Sequence, residues 1–345
     1  MHPTTARLLD WYARTGRDLP WRREVSPYRA LLSEAMLQQT RVETVLPYFA
    51  RFAARWPGVE DLAAATEEEI LGAWAGLGYY RRARALHAAA QQIARQGGFP
   101  RTLEGLRALP GVGPYSAAAI GSIAFGLDAL ALDGNLARVG ARLFAIEALV
   151  DAGPGRVAVA EHLGALLPAG RAGDFNQALM DLGAGVCLSG QPRCDACPIA
   201  ADCRARAAGS QADLPRRTQR REPCAVRAVA LVARRGEAVL LVRRPEGGLL
   251  GGLWGPPMLV LAEGEPTEAG LCRLAATLDT LAAPPQPCGG VVHVFTHQRW
   301  QVAVHRAALP PRREPRDEGE RILPPGASEA PPLSRLAEKI LVRAG

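Results

Sequence analysis

Residues 109–135 read LPGVGPYSAAAIGSIAFGLDALALDGN, and the rest of the chain can be organised around this stretch. Leucines recur at every third position over residues 103–109, which predicts a short helix that the following Pro-Gly pair ends. A second proline suits the first turn of another helix. Between the helices, Gly111, Val112 and Gly113 would form a tight turn whose backbone amides can approach a phosphate. A plain helical turn is the alternative, because a lone Gly-X-Gly is a weak signal.

The chain has 345 residues, 48% of them hydrophobic, so its length predicts two or three domains with sizeable cores. No run approaches the ~20 apolar residues of a membrane-spanning helix, and the start, MHPTTARLLDWY, lacks an apolar signal region. We therefore expect a cytoplasmic protein with no membrane partner. The net charge of +7 suits a polyanion such as nucleic acid. The basic residues are almost all arginine, and the only lysine is Lys339.

The first two-thirds of the chain carries helical periodicity, and no convincing strand precedes residue 224, which predicts an all-α region. Ser26 can cap a helix that begins at the next proline. On this helix, Glu34, Gln38 and Arg41 fall on one face at spacings of four and seven residues. A carboxylate, an amide and a guanidinium together suit a polar cleft, although an ordinary exposed face has the same pattern.

Two clusters place aromatic residues among arginines. Residues 5–24 contain Trp, Tyr and several Arg, and residues 79–84 read YYRRAR after a Gly-Leu-Gly turn. Rings that stack on bases and cations that hold phosphates are typical of nucleic-acid contact. Packing of the same rings into the core is the alternative for both clusters. Between them, Thr66 and Glu69 form a capping box that starts a further helix.

Four of the seven cysteines, Cys187, Cys194, Cys197 and Cys203, are spaced C-x6-C-x2-C-x5-C. Four thiols this close together, in a chain expected in the cytoplasm, indicate a metal site rather than disulfides. Zinc and a [4Fe–4S] cluster both accept four thiolates. Zinc sites favour two short C-x2-C pairs, and this spacing has one, so a loop around a cluster fits better. The other three cysteines are expected to be packing residues.

The pattern changes after a polar, basic stretch at 206–222, which predicts a linker. Beyond it, segments such as EAVLLVRR and RWQVAVHRA alternate or are β-rich, with one helical stretch near 267–280. The last third is therefore expected to be a separate α+β domain. Its segment 309–332 is rich in proline and charge, which predicts a surface loop or a disordered segment.

Together, LPGVGPY, the later Asp133 and the spaced cysteines resemble the endonuclease III superfamily of DNA glycosylases. Within it, SEAMLQQT, GLGYYRRAR, LDGN and the β-rich extension resemble the adenine DNA glycosylases of the MutY family. The resemblance implies an all-α helix-hairpin-helix glycosylase with a [4Fe–4S] loop, followed by a C-terminal α+β Nudix-like domain. The regions it implies are an iron–sulfur lobe from 1–25 and 133–205, a six-helix barrel over 26–132, the linker over 206–222 and the Nudix-like domain over 223–345.

The resemblance also implies the reaction. The family removes adenine mispaired with 8-oxoguanine or guanine from double-stranded DNA, as a step of base excision repair. Adenine must leave the stack, and its glycosidic bond breaks through an oxocarbenium-like state that calls for an acid on the base and a negative charge near the sugar. Glu34 is assigned as the acid, so we expect burial to raise its pKa. Asp133 would stabilise or attack the cation, Asn135 would orient Asp133 or the sugar, and Tyr115 would lie beside Asp133.

Further roles come from the same resemblance. The four spaced cysteines would bind the [4Fe–4S] cluster, and Gly111, Val112 and Gly113 would contact DNA. Arg22, Leu37 and Asp181 match positions near the adenine pocket. Gln38 and Tyr79 would intercalate around the oxidised base, and the loop Phe295-Thr296-His297 would contact that base. This loop resembles a Phe-Ser-His loop in which Thr keeps the hydroxyl, although a simple strand end is the alternative.

Two chemistries are predicted to be absent. Bifunctional relatives carry lysine at the position of Tyr115 and cleave the strand through a Schiff base, so we expect a monofunctional glycosylase with no efficient strand cleavage. An active Nudix hydrolase needs a helix dense in Glu to hold metal, and residues 264–282 offer only Glu265, Glu268 and Asp279. We therefore expect the extension to be a binding module.

Two other functions stay open. One is a related mismatch or pyrimidine glycosylase, against which the C-terminal domain argues. The other is a non-catalytic DNA-binding protein of the same fold, against which Glu34 and Asp133 argue. We expect a monomer in a bacterial cytoplasm, associated with the nucleoid through DNA binding.

Overall fold

The structure, a computed structural model, describes residues 1–219, 222–245, 247–278, 281–324, 327 and 331–345. The chain divides into two compact units. The first is Met1–Ala65 with Arg81–Gln219, and the second is Thr66–Tyr80 with Arg220–Gly345. The segment Thr66–Tyr80 thus belongs with the C-terminal third, whereas the sequence predicts it within the barrel. The finer division into two helical lobes stays a prediction. No helix among the described residues is long and apolar enough to cross a membrane.

The first unit contains no strand among its described residues, as predicted. Short 3-10 turns lie at Cys194–Ala196 and Ala200–Asp202. The α-helices up to residue 207, of which only α6 belongs to the second unit, are α1 (Pro3–Thr15), α2 (Pro20–Arg23), α3 (Pro27–Leu37), α4 (Val42–Arg55), α5 (Val59–Ala64), α6 (Glu67–Trp74), α7 (Arg81–Arg95), α8 (Leu103–Arg107), α9 (Pro114–Phe125), α10 (Gly134–Phe144), α11 (Gly153–Gly164), α12 (Ala172–Gly185) and α13 (Arg204–Ala207).

The helix-hairpin-helix turn forms between α8 and α9, as predicted. Gly111 has a φ of +73°, and a Cβ there would lie 2.6 Å from the Cβ of Ala85 on α7. Only glycine fits this position without strain. Gly113 is the N-cap of α9, and a Cβ there would meet nothing within 4 Å. The first glycine is therefore required by packing, while the second leaves its side of the turn open.

The helix that carries Glu34 is α3, and Ser26 caps it as predicted, accepting a backbone N–H of the first turn at 3.1 Å. The helix ends before Gln38, and the next residue, Gln39, has a left-handed φ of +57°. Arg41 is instead the N-cap of α4. The predicted common face of Glu34, Gln38 and Arg41 is therefore wrong, because the helix stops before it reaches Arg41.

One core of the first unit joins α1, α10 and α12. Leu8, Leu136, Phe175 and Leu182 are each at most 1% exposed within it. Burial of four such side chains contributes on the order of 2 kcal/mol each. The residue that precedes α10, Asp133, is therefore followed by a helix fixed in the core.

The second unit carries a seven-stranded sheet in the order β3-β2-β1-β6-β5, with β4 paired to β1 and β7 paired to β2. Strands β1 and β6 run parallel, and the other neighbours are antiparallel. The predicted α+β class is confirmed. The elements are β1 (Cys224–Arg235), β2 (Ala238–Arg243), β3 (Trp254–Gly255), β4 (Met258–Val260), α14 (Thr267–Ala276), β5 (Gln286–Val294), β6 (Gln298–Ala308), β7 (Glu320–Leu323) and α15 (Arg335–Ala344).

Strand β1 supplies both faces of the sheet with core residues. Val232 and its even-numbered neighbours cluster with Ile340 of α15, whereas Leu231 and its odd-numbered neighbours cluster with Leu274 of α14. Since alternate side chains of a strand point to opposite faces, the sheet is covered by one helix on each side. This central strand therefore reads as a nearly continuous apolar run in the sequence.

Strand β5 forms one edge of the sheet. Its residues Val292 and Val294 are 49% and 60% exposed. On the same edge, the Nζ of Lys339 in α15 donates to the carbonyl oxygen of Val292 at 3.4 Å. The single lysine of the chain thus contacts the backbone of an edge strand that displays apolar side chains.

The prediction of a surface loop or disordered segment over 309–332 is wrong for Glu320–Leu323, which forms β7 and pairs with β2. The buried carboxylate of Glu320 accepts hydrogen bonds from Arg313 and Arg316, both at 2.7 Å. These charges pair with one another, so a segment that looks too polar to fold is held on the sheet.

Candidate active site

A cavity of about 580 Å³ in the first unit gathers the four predicted catalytic residues. Glu34 comes from α3, Tyr115 from the first turn of α9, and Asp133 and Asn135 from the start of α10. Leu37, expected near the adenine pocket, lines the same cavity. Residues distant in sequence therefore converge on one concave polar site, as catalytic groups do.

Glu34 is buried, and burial raises the pKa of its carboxyl to about 7. A hydrogen bond with Tyr115 offsets part of this rise, while the charge of Asp133 adds to it. The rise in pKa expected from the sequence is confirmed. A carboxyl with this pKa carries a proton near neutral pH and can serve as a general acid.

Asp133 is the N-cap of α10, and its carboxylate accepts three hydrogen bonds. The backbone amides of Asn135 and Leu136 donate to Oδ1 at 2.8 and 2.7 Å, and Asn135 Nδ2 donates to Oδ2 at 2.9 Å. Burial raises the pKa of Asp133, and these hydrogen bonds lower it in part. The carboxylate is thus held in one orientation at the cavity, with Asn135 as its side-chain partner.

Arg138, one turn further along α10, connects this pair to the cysteine loop. Its Nη2 donates to Asn135 Oδ1 at 2.9 Å and to the carbonyl of Gly183 at 2.7 Å, and its Nε donates to the carbonyl of Cys187 at 2.7 Å. The guanidinium is buried, and burial lowers its pKa. A buried cation with three acceptors fixes Asn135 and, through it, Asp133.

The expected adenine-pocket residues Arg22 and Asp181 lie in the cavity wall, together with Arg17. Arg22 donates to the two carboxylate oxygens of Asp181 at 2.8 and 3.0 Å, and Arg17 donates to them from its backbone N at 2.9 Å and from Nε at 2.7 Å. Burial alone would raise the pKa of Asp181, but the hydrogen bond and charge of Arg22 lower it. This carboxylate is therefore held ionised.

The helix-hairpin-helix turn also lies close to Glu34. A second cavity of about 250 Å³ is lined by Glu34, Gln38, Gly111 and Val112. Gln38 Nε2 donates to the hydroxyl of Ser116 on α9 at 3.5 Å. Gly111 and Val112, which are expected to contact the DNA, and Gln38, which is expected near the oxidised base, therefore line the same cavity as Glu34.

The four spaced cysteines are partly buried thiols. Burial raises the pKa of Cys197 to about 11, and the other three thiols contribute to that rise. Arg142 Nη1 donates to the sulfur of Cys187 at 3.4 Å, and the Cys203 thiol donates to the Arg142 carbonyl at 3.4 Å. In the described part of the chain, no three Cys, His, Asp or Glu side chains are arranged to hold a metal ion. The four thiols nevertheless lie close enough to affect one another's ionisation.

Apart from Gln38, the residues expected around the oxidised base lie in the second unit. The hydroxyls of Tyr79 and Thr296 are 2.8 Å apart. Tyr79 has a left-handed φ of +50° and is 47% exposed, whereas Tyr80 is buried and donates to the carbonyl of Leu333 at 3.1 Å. Of the two alternatives for the tyrosine pair, core packing applies to Tyr80, and an exposed ring that can stack on a base is present at Tyr79.

The loop around Thr296 is fixed at both ends. The ring of Phe295 packs against Trp300, with centroids 5.7 Å apart. The backbone N–H of Cys224 donates to the carbonyl of His297 at 2.9 Å. Thr296 and His297 are exposed, so the loop presents both side chains outward.

Glu265 and Glu268, the described acidic residues considered for Nudix catalysis, belong to no group of three potential metal ligands in the described part of the chain. Glu265 is paired with Arg273 at 2.7 Å, and Glu268 lies in the first turn of α14. Asp279 lies outside the described residues. The C-terminal binding module stays a prediction.

The sequence patterns did not identify two buried arginines that hold the site, Arg138 and Arg142, although a signal for both existed. Arg17, which holds Asp181, belongs to the aromatic and basic cluster at residues 5–24. Arg138 and Arg142 are four residues apart on a stretch of α10 whose other residues are apolar or glycine. Charged residues at core positions are rarely buried without partners, so the pattern predicts a buried pairing.

Two family models match the chain. The HhH-GPD superfamily base excision DNA repair protein model covers residues 32–164, and the NUDIX domain model covers residues 228–343. The first match contains Glu34 and Asp133, and the second contains the loop at Thr296. Each match therefore contains some of the site residues, while Arg22, Asp181 and the four spaced cysteines lie outside both matches.

Similar proteins match between 59% and 88% of the chain. Adenine DNA glycosylase of Rattus norvegicus is 36% identical over 365 residues, covering 88% of this chain and 70% of that protein. Adenine DNA glycosylase of Mycolicibacterium smegmatis is 42% identical over 225 residues, covering 64% of this chain and 75% of that protein. A solved structure described as a thermostable thymine-DNA glycosylase has a TM-score of 0.53 at 29% identity, covering 59% of this chain and 95% of its own. With these relatives and this site, the chain belongs to the adenine DNA glycosylase family, whose members act on DNA in base excision repair.

Proposed function

We propose that the protein is a monofunctional glycosylase that removes adenine opposite 8-oxoguanine or guanine. The observation that carries this proposal is the buried Glu34, with a pKa of about 7, in a cavity that it shares with Asp133. Two carboxyl groups whose environments differ in this way suit one acid and one anionic partner. The cavity volume of about 580 Å³ lies within the range of small-molecule sites, so an extruded base fits it.

In the proposed reaction, Glu34 donates its proton to the adenine ring, and the glycosidic bond breaks as the base leaves. Positive charge then develops on the sugar, and the Asp133 carboxylate either stabilises it or attacks before water completes the hydrolysis. Asn135 and the amide of Leu136 keep that carboxylate oriented. Tyr115, which is hydrogen-bonded to Glu34, keeps the Glu34 carboxyl in place.

Strand cleavage is not part of the proposal. A lyase needs an amine that forms a Schiff base with the abasic sugar. Tyr115 stands beside Glu34, where a bifunctional relative would carry lysine, and a phenol cannot form that bond. The chain has one lysine, Lys339, and it lies on α15 of the second unit.

Recognition of the oxidised base is assigned mainly to residues of the second unit, with Gln38 of the first unit. The exposed Tyr79 ring and the Thr296 hydroxyl share a hydrogen bond, so they present one face of aromatic and polar character. Aromatic rings stack on bases, and hydroxyls accept or donate to base edges. We assign Gln38, Phe295 and His297 to the same task.

The four thiols fit a [4Fe–4S] cluster. The thiols of Cys187, Cys194 and Cys203 each influence the pKa of Cys197, so the four thiols lie near one another. All four donors are thiolates, as such a cluster requires. Cys187, Cys194, Cys197 and Cys203 would be the ligands. The cluster would supply a rigid loop rather than a chemical step, because Arg138 and Arg142 tie this loop to α10.

A glycosylase assay tests the proposal. Duplexes carrying adenine opposite 8-oxoguanine or guanine should be cut only after alkali treatment, which reports an abasic site without strand cleavage. A duplex with thymine opposite guanine is the matched control, because the similar solved structure is a thymine glycosylase. Activity on thymine alone, or strand cleavage without alkali that survives blocking of the N-terminal amine, would contradict the assignment. Brown colour and bound iron in the purified protein would support the cluster, and stoichiometric zinc would contradict it.

A further inference from the structure

The backbone carbonyls of the two residues that flank Asp133 each accept a hydrogen bond from an arginine. Arg156 Nη2 on α11 donates to the carbonyl of Leu132 at 2.8 Å. Arg217 Nη2 donates to the carbonyl of Gly134 at 3.1 Å. The two residues that flank the proposed anion are thus each bound by a guanidinium from another part of the chain.

The segment that leads to Asp133 has little regular structure of its own. Residues 126–133 form neither helix nor strand. Upstream, Asn176 Nδ2 donates to the carbonyl of Ala129 at 2.8 Å, and its Oδ1 accepts from the amide of Ala131 at 3.0 Å. Side chains from other elements therefore fix the backbone of this segment. Asn176 binds it upstream, and Arg156 and Arg217 bind it at its end, next to Asp133.

Arg217 belongs to the segment predicted as a linker, yet residues 214–218 are bound to the first unit. Arg142 Nε donates to the carbonyl of Leu214 at 2.8 Å, and the amide of Val150 donates to the carbonyl of Arg216 at 3.1 Å. The amide of Thr218 donates to Asp151 at 3.0 Å. We call residues 214–218 the strap. Hydrogen bonds hold the strap at Arg216 and Thr218, the residues on either side of Arg217. The backbone of Arg217 is therefore fixed, and this fixes where its guanidinium reaches Gly134.

We propose that Arg156 and Arg217 are positioning residues for Asp133, and that the strap serves catalysis through Arg217 alone. This inference rests on the proposed function, because it assumes that Asp133 acts on the sugar. Electrostatic stabilisation of a developing cation depends on where the anion is held. Loss of either arginine would free the backbone carbonyl of one residue that flanks Asp133, and a misplacement near 1 Å costs on the order of 100-fold in rate.

The strap provides a matched control one residue away. Arg216 is also exposed, but its guanidinium pairs with Glu147 at 3.2 Å instead of reaching Gly134. The experiment compares Arg217→Gln, Arg217→Lys, Arg156→Gln and Arg216→Gln. It measures single-turnover adenine release at saturating enzyme, and affinity for a duplex with a non-cleavable adenine analogue opposite 8-oxoguanine.

We expect Arg217→Gln and Arg156→Gln to slow release at saturation by tenfold or more, with affinity for the analogue duplex within about twofold of wild type. Arg217→Lys keeps a donor and should recover most of the rate, while Arg216→Gln should match wild type. These results would separate positioning from general folding, because a folding defect would not be rescued by lysine.

Three outcomes would overturn the inference while the proposed function stands. An unchanged rate for Arg217→Gln would show that Gly134 needs no such support. Loss of affinity alone, with a salt dependence lowered by about one phosphate contact, would make Arg217 a DNA ligand instead. An equal loss for Arg216→Gln would mean that the strap matters only as a fold. If the wild type itself releases no adenine, the proposed function fails and the inference fails with it.

Discussion

Replacing Glu34 by Gln removes a proton-transfer group while it keeps the shape of the side chain and an acceptor for Tyr115. Burial raises the pKa of Glu34 from an ordinary 4.5 to about 7. Below pH 4.5 the carboxyl is protonated in the folded and the unfolded chain alike, so the stabilising contribution is fully present. As the pH rises through about 7, that contribution is lost, and the free energy of unfolding falls by about 3 kcal/mol, since one pH unit is worth about 1.4 kcal/mol.

The Glu34→Gln variant lacks this titration. Its free energy of unfolding, relative to wild type, should therefore rise by roughly 2 to 3 kcal/mol between about pH 5 and about pH 8. Urea denaturation at both pH values, followed by tryptophan fluorescence, measures this difference, and other titrating groups cancel in the comparison. A difference that stays constant with pH would refute a buried Glu34 that keeps its proton in the folded state.

The same variant separates catalysis from binding. It should bind a duplex with adenine opposite 8-oxoguanine as wild type does, but it should release adenine at least about 100-fold more slowly, because the general acid is gone. Gel-shift titration and single-turnover assays give the two quantities. Retained base release would remove Glu34 from the mechanism, and lost binding would point to a structural role.

The carboxyl pair, the glycine turn and Arg138 each give a further prediction. Base release by the wild type should decline above about pH 7, because Glu34 loses its proton there. It should also decline at acidic pH, because Asp133, whose pKa is raised, gains a proton. A rate–pH profile without an alkaline decline would contradict this prediction. Gly111→Ala should destabilise the protein by about 2 kcal/mol through a clash and a left-handed backbone, while Gly113→Ala should not, as thermal unfolding of the two variants would show. Arg138→Gln should slow base release and speed the loss of iron to a chelator together, and a change in only one of them would argue against a shared network.

Much of the fold could be predicted because local chemistry and tertiary structure agree. The cap at Ser26, the proline at the start of α9 and the glycine turn at Gly111 all act within a few residues, so the sequence states them directly. The apolar run of β1 likewise indicates a strand covered on both faces. The end of α3 could not be foreseen, because it depends on the left-handed backbone of Gln39, for which the sequence carries no glycine.

The proposed catalytic pair illustrates a different limit. Glu34 and Asp133 were assigned through resemblance, and spacing alone gave no reason to bring them into one cavity. The sequence patterns did not identify Arg156 and Arg217, because a guanidinium that binds a backbone carbonyl leaves no partner residue to recognise in the sequence. Strand β7 was missed for a related reason: the charges of Glu320 and its arginines are paired only after the chain has folded.

The contact between Lys339 and the edge strand β5 has a practical consequence. An uncovered strand edge with exposed valines invites pairing with another chain, and lysine is a common means by which proteins discourage such aggregation. Here the Lys339 amine binds the backbone of Val292, and it is the only lysine in a chain with 40 arginines. Amine-reactive dyes should therefore label a single internal position, far along the chain from the proposed catalytic residues Glu34 and Asp133. The same acylation removes the charge, so labelled protein should self-associate more readily than unlabelled protein in light scattering.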